Sequence, residues 1–538
     1  MMKRMQKLLT ALLVLCLVLS FVGCGAGGEE SDALVGNNYF SNLSKDENNL
    51  MGDVEGDLAM DAADDAFWEA ETGDNANGGD KKYDEEVEKF IENAFIETAK
   101  QNVSTLSADV DTASYTYFRK LINDGGMWEY LARDPYAFRT EEFINYFDYT
   151  DAKQPDAEKL FGVSSSIFPC PWNKESVLLR ATLQAAEAPP VAGNNLVFLI
   201  DVSGSMMSAD KLPLLQKAFG YLVDQLGETD IISIVTYSGR EQVVLRGCEG
   251  TRKVEILEAI NSLTASGSTN GQAGLQEAYR IATENFIEGG NNRIIMASDG
   301  DLNVGISSAE ELKNYVSEQR EKDIYLSVLG FGMGNYRDAN MEALADNGNG
   351  VYYYIDGESE AEKVFCTDLL GTLYTVAEDV KLQISFDKEL VSSYRLIGYE
   401  NRLLSEEDFT DDTKDAGEVG SGHTVTVCYE LKLNDGAMIE GASWLELAVN
   451  YKYPGENTSV DPERYTIGYA DYSDTLSEDA KFLVCVIETC MLIHDSDYLS
   501  EDFDLSQVIA TLDTMLLDND PARAEFAALL KKLNGPKQ

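Results

Sequence analysis

The spacing of hydrophobic positions changes several times along the chain, and each change marks a segment. Residues 8–22 form an apolar run preceded by Lys3, Arg4 and Lys7. Residues 25–86 show no period: Gly, Asn, Asp and Glu dominate, and few apolar residues cluster apart from Phe67-Trp68. Helical spacing begins near Val87 with "YDEEVEKFIENAFIETA". "STLSADVDTASYTYFRKLIND" then predicts a short strand, a turn and a helix, and "AFRTEEFINYFDY" a second short amphipathic helix. Alternating, strand-like runs fill 161–189 and stop at Pro189-Pro190.

From 192 to 372 short apolar runs alternate with amphipathic ones. The strands are "LVFLI" (196–200), "DIISIVTYS", "QVVL", "RIIMAS", "IYLSVLGFG" and "GVYYYI". Between them lie helical patterns such as "LPLLQKAFGYLVDQL", "GLQEAYRIATENF" and "AEELKNYVSEQREK". Fully apolar strands joined by amphipathic helices predict a parallel sheet covered on both faces, a doubly wound, Rossmann-like α/β domain. Residues 373–538 alternate apolar and polar positions in "VKLQISF", "TVTVCYELKL" and "WLELAVNYKY", which predicts antiparallel strands; after Asp474 the pattern turns helical. The reading is a short N-terminal α/β segment (87–191), the doubly wound domain (192–372) and a C-terminal β-rich, then helical, domain (373–538).

Charge and cysteine place this architecture. Asp and Glu number 94 against 42 Lys and Arg, a net charge of −52. Such a surface repels a polyanion, which excludes nucleic acid as a partner. The basic start, short apolar run and small residue at Gly23 read as a secretory signal peptide over 1–23. "FVGC" at 21–24 resembles a bacterial lipobox, so Cys24 is expected to carry a lipid and anchor the protein to a membrane outside the cytoplasm. Residues 24–86, with Lys45, Lys81 and Lys82 as their only positive charges, are expected to be an acidic, disordered tether. Six cysteines remain: Cys170, Cys248, Cys366, Cys428, Cys485 and Cys490. None has CxxC spacing, and buried thiols are at least as good an account of them as bridges.

The candidate chemistry sits where the first strand of the α/β domain ends, in "VFLIDVSGSM" (197–206). Ligands of doubly wound sheets bind outside the carboxyl ends of the strands. Asp201, Ser203 and Ser205 alternate in a tight Gly-containing loop and can turn three oxygens to one point, a donor set suited to Mg²⁺. Thr269 in "ASGSTNG" and Asp299 in "MASDGD" bring further oxygen donors from other strand ends. Two other readings compete. Asp201 could cap a helix. Ser203 could be a nucleophile, but that needs a base, and His423 and His494 are the only histidines, both far along the chain. For "DVDTAS" at 109–114, Asp111 or Thr112 is expected to cap the helix that follows. Asp301 and Asn303 are expected to shape the loop after Asp299.

Asp201-x-Ser203-x-Ser205, Thr269 and Asp299 together resemble the metal-ion-dependent adhesion site of von Willebrand factor type A domains. The resemblance implies Mg²⁺ or Mn²⁺ bound directly by Ser203, Ser205 and Thr269, with Asp201 and Asp299 acting largely through water. It also implies an open position filled by an Asp or Glu carboxylate of a protein partner, and no enzymatic activity. "STLSADVDTASYTYFRKLI", "RTEEFINYFDY", "STNGQAGL" and "SDGDLNVG" resemble bacterial surface lipoproteins of this type, in which a domain of unknown function follows the A domain. Two alternatives stay open: an envelope scaffold working through the C-terminal domain with metal only stabilising the fold, and an enzyme with an unrecognised C-terminal site.

Overall fold

The segments on either side of the α/β domain are woven into shared sheets. The computed structural model describes residues 91–535 except 134–137, 157–158, 189–191, 268–270, 301–308, 333–337 and 369–373. First come β1 (Ile96–Glu97), β2 (Val103–Ser107), α1 (Ala113–Asn123), α2 (Met127–Arg133), α3 (Thr140–Asn145), β3 (Phe161–Pro169) and β4 (Val177–Ala185). The α/β domain holds β5 (Asn194–Asp201), α4 (Leu212–Gln225), β6 (Ile231–Tyr237), β7 (Glu241–Glu249), α5 (Lys253–Asn261), α6 (Gln272–Glu284) and β8 (Asn291–Ser298). It continues through α7 (Ala309–Arg320), β9 (Tyr325–Phe331), α8 (Asp338–Asn347), β10 (Tyr352–Ile355) and α9 (Glu358–Lys363). After it lie β11 (Thr375–Phe386), β12 (Val391–Ile397), β13 (Leu403–Leu404), β14 (Gly417–Gly420), β15 (Thr424–Leu433), β16 (Ser443–Lys452) and β17 (Glu463–Gly468). Helices α10 (Glu478–Ile493), α11 (Leu505–Leu512) and α12 (Pro521–Leu533) close the chain.

One sheet has the order β10-β9-β8-β5-β6-β7. Its strands run parallel except β7, which returns antiparallel along β6, so the wholly parallel sheet expected from the pattern gains one antiparallel edge. A nine-residue strand three residues after β6 can only be reached by a hairpin. Both β5 and β8 are buried along their whole length. Alternate residues of β5 face opposite layers: Phe198 packs 4.3 Å from Phe219 of α4, while Val197 and Leu199 share a core with Leu275 and Ala278 of α6.

The two other sheets mix the flanking segments, in orders β1-β12-β15-β4-β3 and β13-β2-β11-β16-β17. Leu106 of β2 lies opposite Leu382 of β11, and Ala181 of β4 opposite Val427 of β15. Residues 91–95, expected to be helical, have no regular structure, and Ile96 pairs with Tyr394 in β1. An edge position beside β12 satisfies this backbone, and Thr98 Oγ1 donates to the Val391 carbonyl, so tertiary pairing overrides a weak helical period. All six cysteines named above are free thiols. No helix among the described residues is long and apolar enough to cross a membrane.

Buried ion pairs hold the flanks to the α/β domain. Asp111 does not cap α1: its Oδ1 accepts the Tyr352 amide of edge strand β10 at 3.1 Å. Thr112 occupies the N-cap position without a side-chain bond, and the Ser114 amide donates instead to Glu142 Oε2 at 2.6 Å. Burial and the neighbouring Asp109 carboxylate push the Asp111 carboxyl well above its usual range. Arg119 of α1 reaches Asp356 (2.5 Å) and Glu360 (2.7 Å), just after β10, and Glu525 of α12 (2.9 Å). Removing one partner of such a cluster strands the others in a low-dielectric setting. Arg119→Met is expected to cost about 3–5 kcal/mol in urea denaturation at pH 7, with a smaller deficit as pH falls, because burial holds the Asp356 carboxyl above its usual range and it takes up a proton. An unchanged midpoint at pH 7 contradicts the clamp.

Candidate metal site

Strand β5 sits where the sheet order reverses, with β6 on one side and β8 on the other, and its carboxyl end is the place where sheets of this kind bind ligands. Ile200 pairs with Ala297, which sets Asp201 level with Ser298 and brings Asp299 in as the next residue of that strand end. Asp201 is fully buried, and its Oδ1 accepts the Ser203 amide at 2.7 Å, closing a tight turn. Ser203 Oγ and Ser205 Oγ lie 2.9 Å apart, Ser203 buried and Ser205 exposed. The chain then makes a single 3₁₀ turn over Gly204–Met207.

Backbone bonds lace this loop to the next one. The Val202 amide donates to the Tyr237 carbonyl (3.0 Å), Gly204 to Gly267 (3.1 Å) and Ser266 to Val202 (2.7 Å). Gly267 has φ +85, and a Cβ there would meet Ser238 Oγ at 3.3 Å. Thr269, two residues further on, lies outside the described residues, as do Asp301, Asn303 and Cys24. The third strand end contributes Asp299. Its Oδ2 accepts Lys211 Nζ at 2.8 Å, and its Oδ1 is buried with no hydrogen-bond partner among the described residues. Burial, with Asp201 and Asp299 close by, pushes the Tyr237 hydroxyl well above its usual range, so it stays neutral beneath the site.

The structure thus brings Asp201, Ser203 and Ser205 into one loop and sets Asp299 on the adjacent strand end. Asp201 bonds its own turn at a strand terminus and caps no helix. Ser203 pairs with Ser205, while His494 is buried against the Phe138 carbonyl at 2.7 Å. Hydroxyls, carboxylates and an unused buried carboxylate oxygen fit a hard divalent cation such as Mg²⁺ or Mn²⁺. No group of three or more His, Cys, Asp or Glu side chains among the described residues could hold a metal. Lys211 and Tyr237 were not singled out in the sequence. A lysine opening a helix and a tyrosine ending a strand look ordinary there.

A family model for the von Willebrand factor type A domain matches residues 195–366, one for von Willebrand factor residues 81–180, and one for the C-terminal part of the uncharacterized protein YfbK residues 371–535. YfbK of Escherichia coli K12 is 39% identical over 486 residues, covering 86% of this chain and 82% of its own. The chain belongs to the YfbK family. Human inter-alpha-trypsin inhibitor heavy chain H3 is 28% identical over 211 residues, 36% of this chain and 23% of that protein. Among solved structures, a von Willebrand factor type A protein from Catenulispora acidiphila covers 72% of this chain and 92% of its own, at 14% identity and TM-score 0.41. Proximal thread matrix protein 1 of the mussel byssus, solved with a zinc-occupied adhesion motif, covers 35% of this chain and 48% of its own at 20% identity and TM-score 0.29. The doubly wound domain of this YfbK-family protein is therefore a von Willebrand factor type A domain, a class that commonly binds protein partners through a divalent metal.

Helix α6 holds the second loop in place through a close contact. A Cβ on Gly274 would lie 2.9 Å from Tyr237 Cβ and 3.2 Å from Leu199 Cδ1. Gly274→Val should lift the start of α6, with Gly271 at its N-cap, from the sheet at a cost of about 1–3 kcal/mol. Urea midpoints with and without 10 mM Mg²⁺ check this: Mg²⁺ should stabilise the wild type and stabilise the variant less. Equal shifts would count against this route from α6 to the site.

Proposed function

We propose that this protein is a lipid-anchored, non-enzymatic binding protein of the cell envelope. It captures a protein partner by completing the coordination of a Mg²⁺ or Mn²⁺ ion with the partner's Asp or Glu carboxylate. The observation that carries this reading is the oxygen set at the sheet's switch point, Ser203 and Ser205 with the buried, unbonded Oδ1 of Asp299. A metal held by few charges keeps an affinity for one more anion. Ser203, Ser205 and Thr269 are the proposed direct ligands, with Asp201 and Asp299 largely bridged by water. Cys24 is the proposed lipid attachment, holding the folded part outside the cytoplasm on the tether of residues 24–86.

The surface around the loop supports a docking role. Met207 is 68% exposed beside the serines and offers an apolar side chain for a partner to cover. Arg240, exposed on the turn after β6, adds a positive charge near the Gly267 loop in a chain of net −52. The partner expected here presents one carboxylate next to an apolar side chain, on a surface that is neutral or basic overall. Pull-downs from envelope extract test this with wild type, Ser203→Ala and Met207→Asp, each in Mg²⁺ and in EDTA. Recovery of the same band only by wild type in Mg²⁺ is expected, and recovery that ignores both EDTA and Ser203→Ala would overturn the reading.

A further inference from the structure

Lys211 reaches the metal loops by a built route. Its amide bonds the Ser208 carbonyl at 3.1 Å and its carbonyl accepts the Leu215 amide at 2.9 Å, so the backbone is fixed where α4 begins. The aliphatic stem then crosses Gly332, which follows β9. A Cβ at Gly332 would lie 2.1 Å from Lys211 Cε, 2.8 Å from Cγ and 2.9 Å from Cδ, and its φ of +78 also favours glycine. The ammonium ends 2.8 Å from Asp299 Oδ2, with the two side chains 12% and 3% exposed. An exposed lysine that merely found a nearby acid would need neither the glycine nor the burial.

We propose that Lys211 is the built-in counter-ion of this site: it neutralises Asp299 in the metal-free protein, competes with the divalent cation, and so sets the concentration at which the site loads. The proposal rests on the metal reading above. Two carboxylates, Asp201 and Asp299, define the negative potential of the cup, and one ammonium in contact with the second cancels about half of it. A cation that coordinates Asp299 directly must displace the ammonium. A cation that uses it through water leaves the ammonium nearby and is repelled. Both routes weaken binding. The site then stays empty at low cation levels despite a strongly acidic surface, and it does not depend on metal to keep Asp299 paired.

The test uses the full chain and Mn²⁺, with free ion followed by electron paramagnetic resonance and stability by thermal melting. Lys211→Met keeps the stem over Gly332 and removes the charge. It should bind Mn²⁺ about tenfold tighter than wild type, the size expected for one nearby charge after solvent relaxation. Without metal it should melt below wild type, and saturating Mn²⁺ should close the gap. Gly332→Ala keeps the charge but pushes the stem aside; it should also tighten Mn²⁺ binding, and it carries the test if Lys211→Met fails to fold. Ser203→Ala should abolish binding in both backgrounds. Wild-type binding with equal or weaker affinity in whichever of the two variants folds overturns the counter-ion role and leaves the metal reading standing. Absence of Mn²⁺ binding in wild type and variant alike overturns both.

Discussion

Two carboxylates buried at the ends of neighbouring strands set the terms for everything around them. Asp201 is fully buried and Asp299 nearly so, at the one place where the sheet order reverses. Charges in such a setting need compensation from hydrogen bonds, counter-ions or bound metal. The Ser203 amide serves Asp201, and the Lys211 ammonium serves one oxygen of Asp299. The other oxygen of Asp299 is left over. The tight turn at 201–203, the glycine under Lys211 and the lacing of residues 202–204 to 266–267 all follow from holding these groups in place.

The flanking segments give that site a fixed frame. β2 and β4 come before the A domain yet pair with β11 and β15 after it, so the domain's two ends emerge from one interlocked body. The open edge at β10 is managed by the N-terminal segment. Asp111 takes the Tyr352 amide, and Arg119 grips Asp356 and Glu360 just beyond. The opposite edge is the antiparallel β7. The loops at the strand ends therefore stand on a domain anchored at both ends.

Much of this was legible in the chain. The strands and helices of the α/β domain follow from short apolar runs alternating with amphipathic ones, because full burial of β5 and β8 leaves a continuous apolar trace. The placing of Asp201, Ser203 and Ser205 at a strand's carboxyl end follows from the same pattern. The weaving of the flanks does not, because Leu106 opposite Leu382 leaves no local signature. Asp111 looks like a helix cap from its neighbours alone; its actual partner is an amide in β10, 241 residues away. Lys211 was missed for a similar reason: its partner Asp299 and the Gly332 it crosses lie on other strand ends.

The claim that these loops hold a divalent cation is tested most directly by anomalous diffraction at the manganese edge from crystals grown in MnCl₂. The account predicts one strong peak bonded to the Oγ atoms of Ser203 and Ser205, with Thr269 completing the protein ligands. A map in which those oxygens hold no metal, or in which the manganese lies elsewhere on the acidic surface, would contradict it.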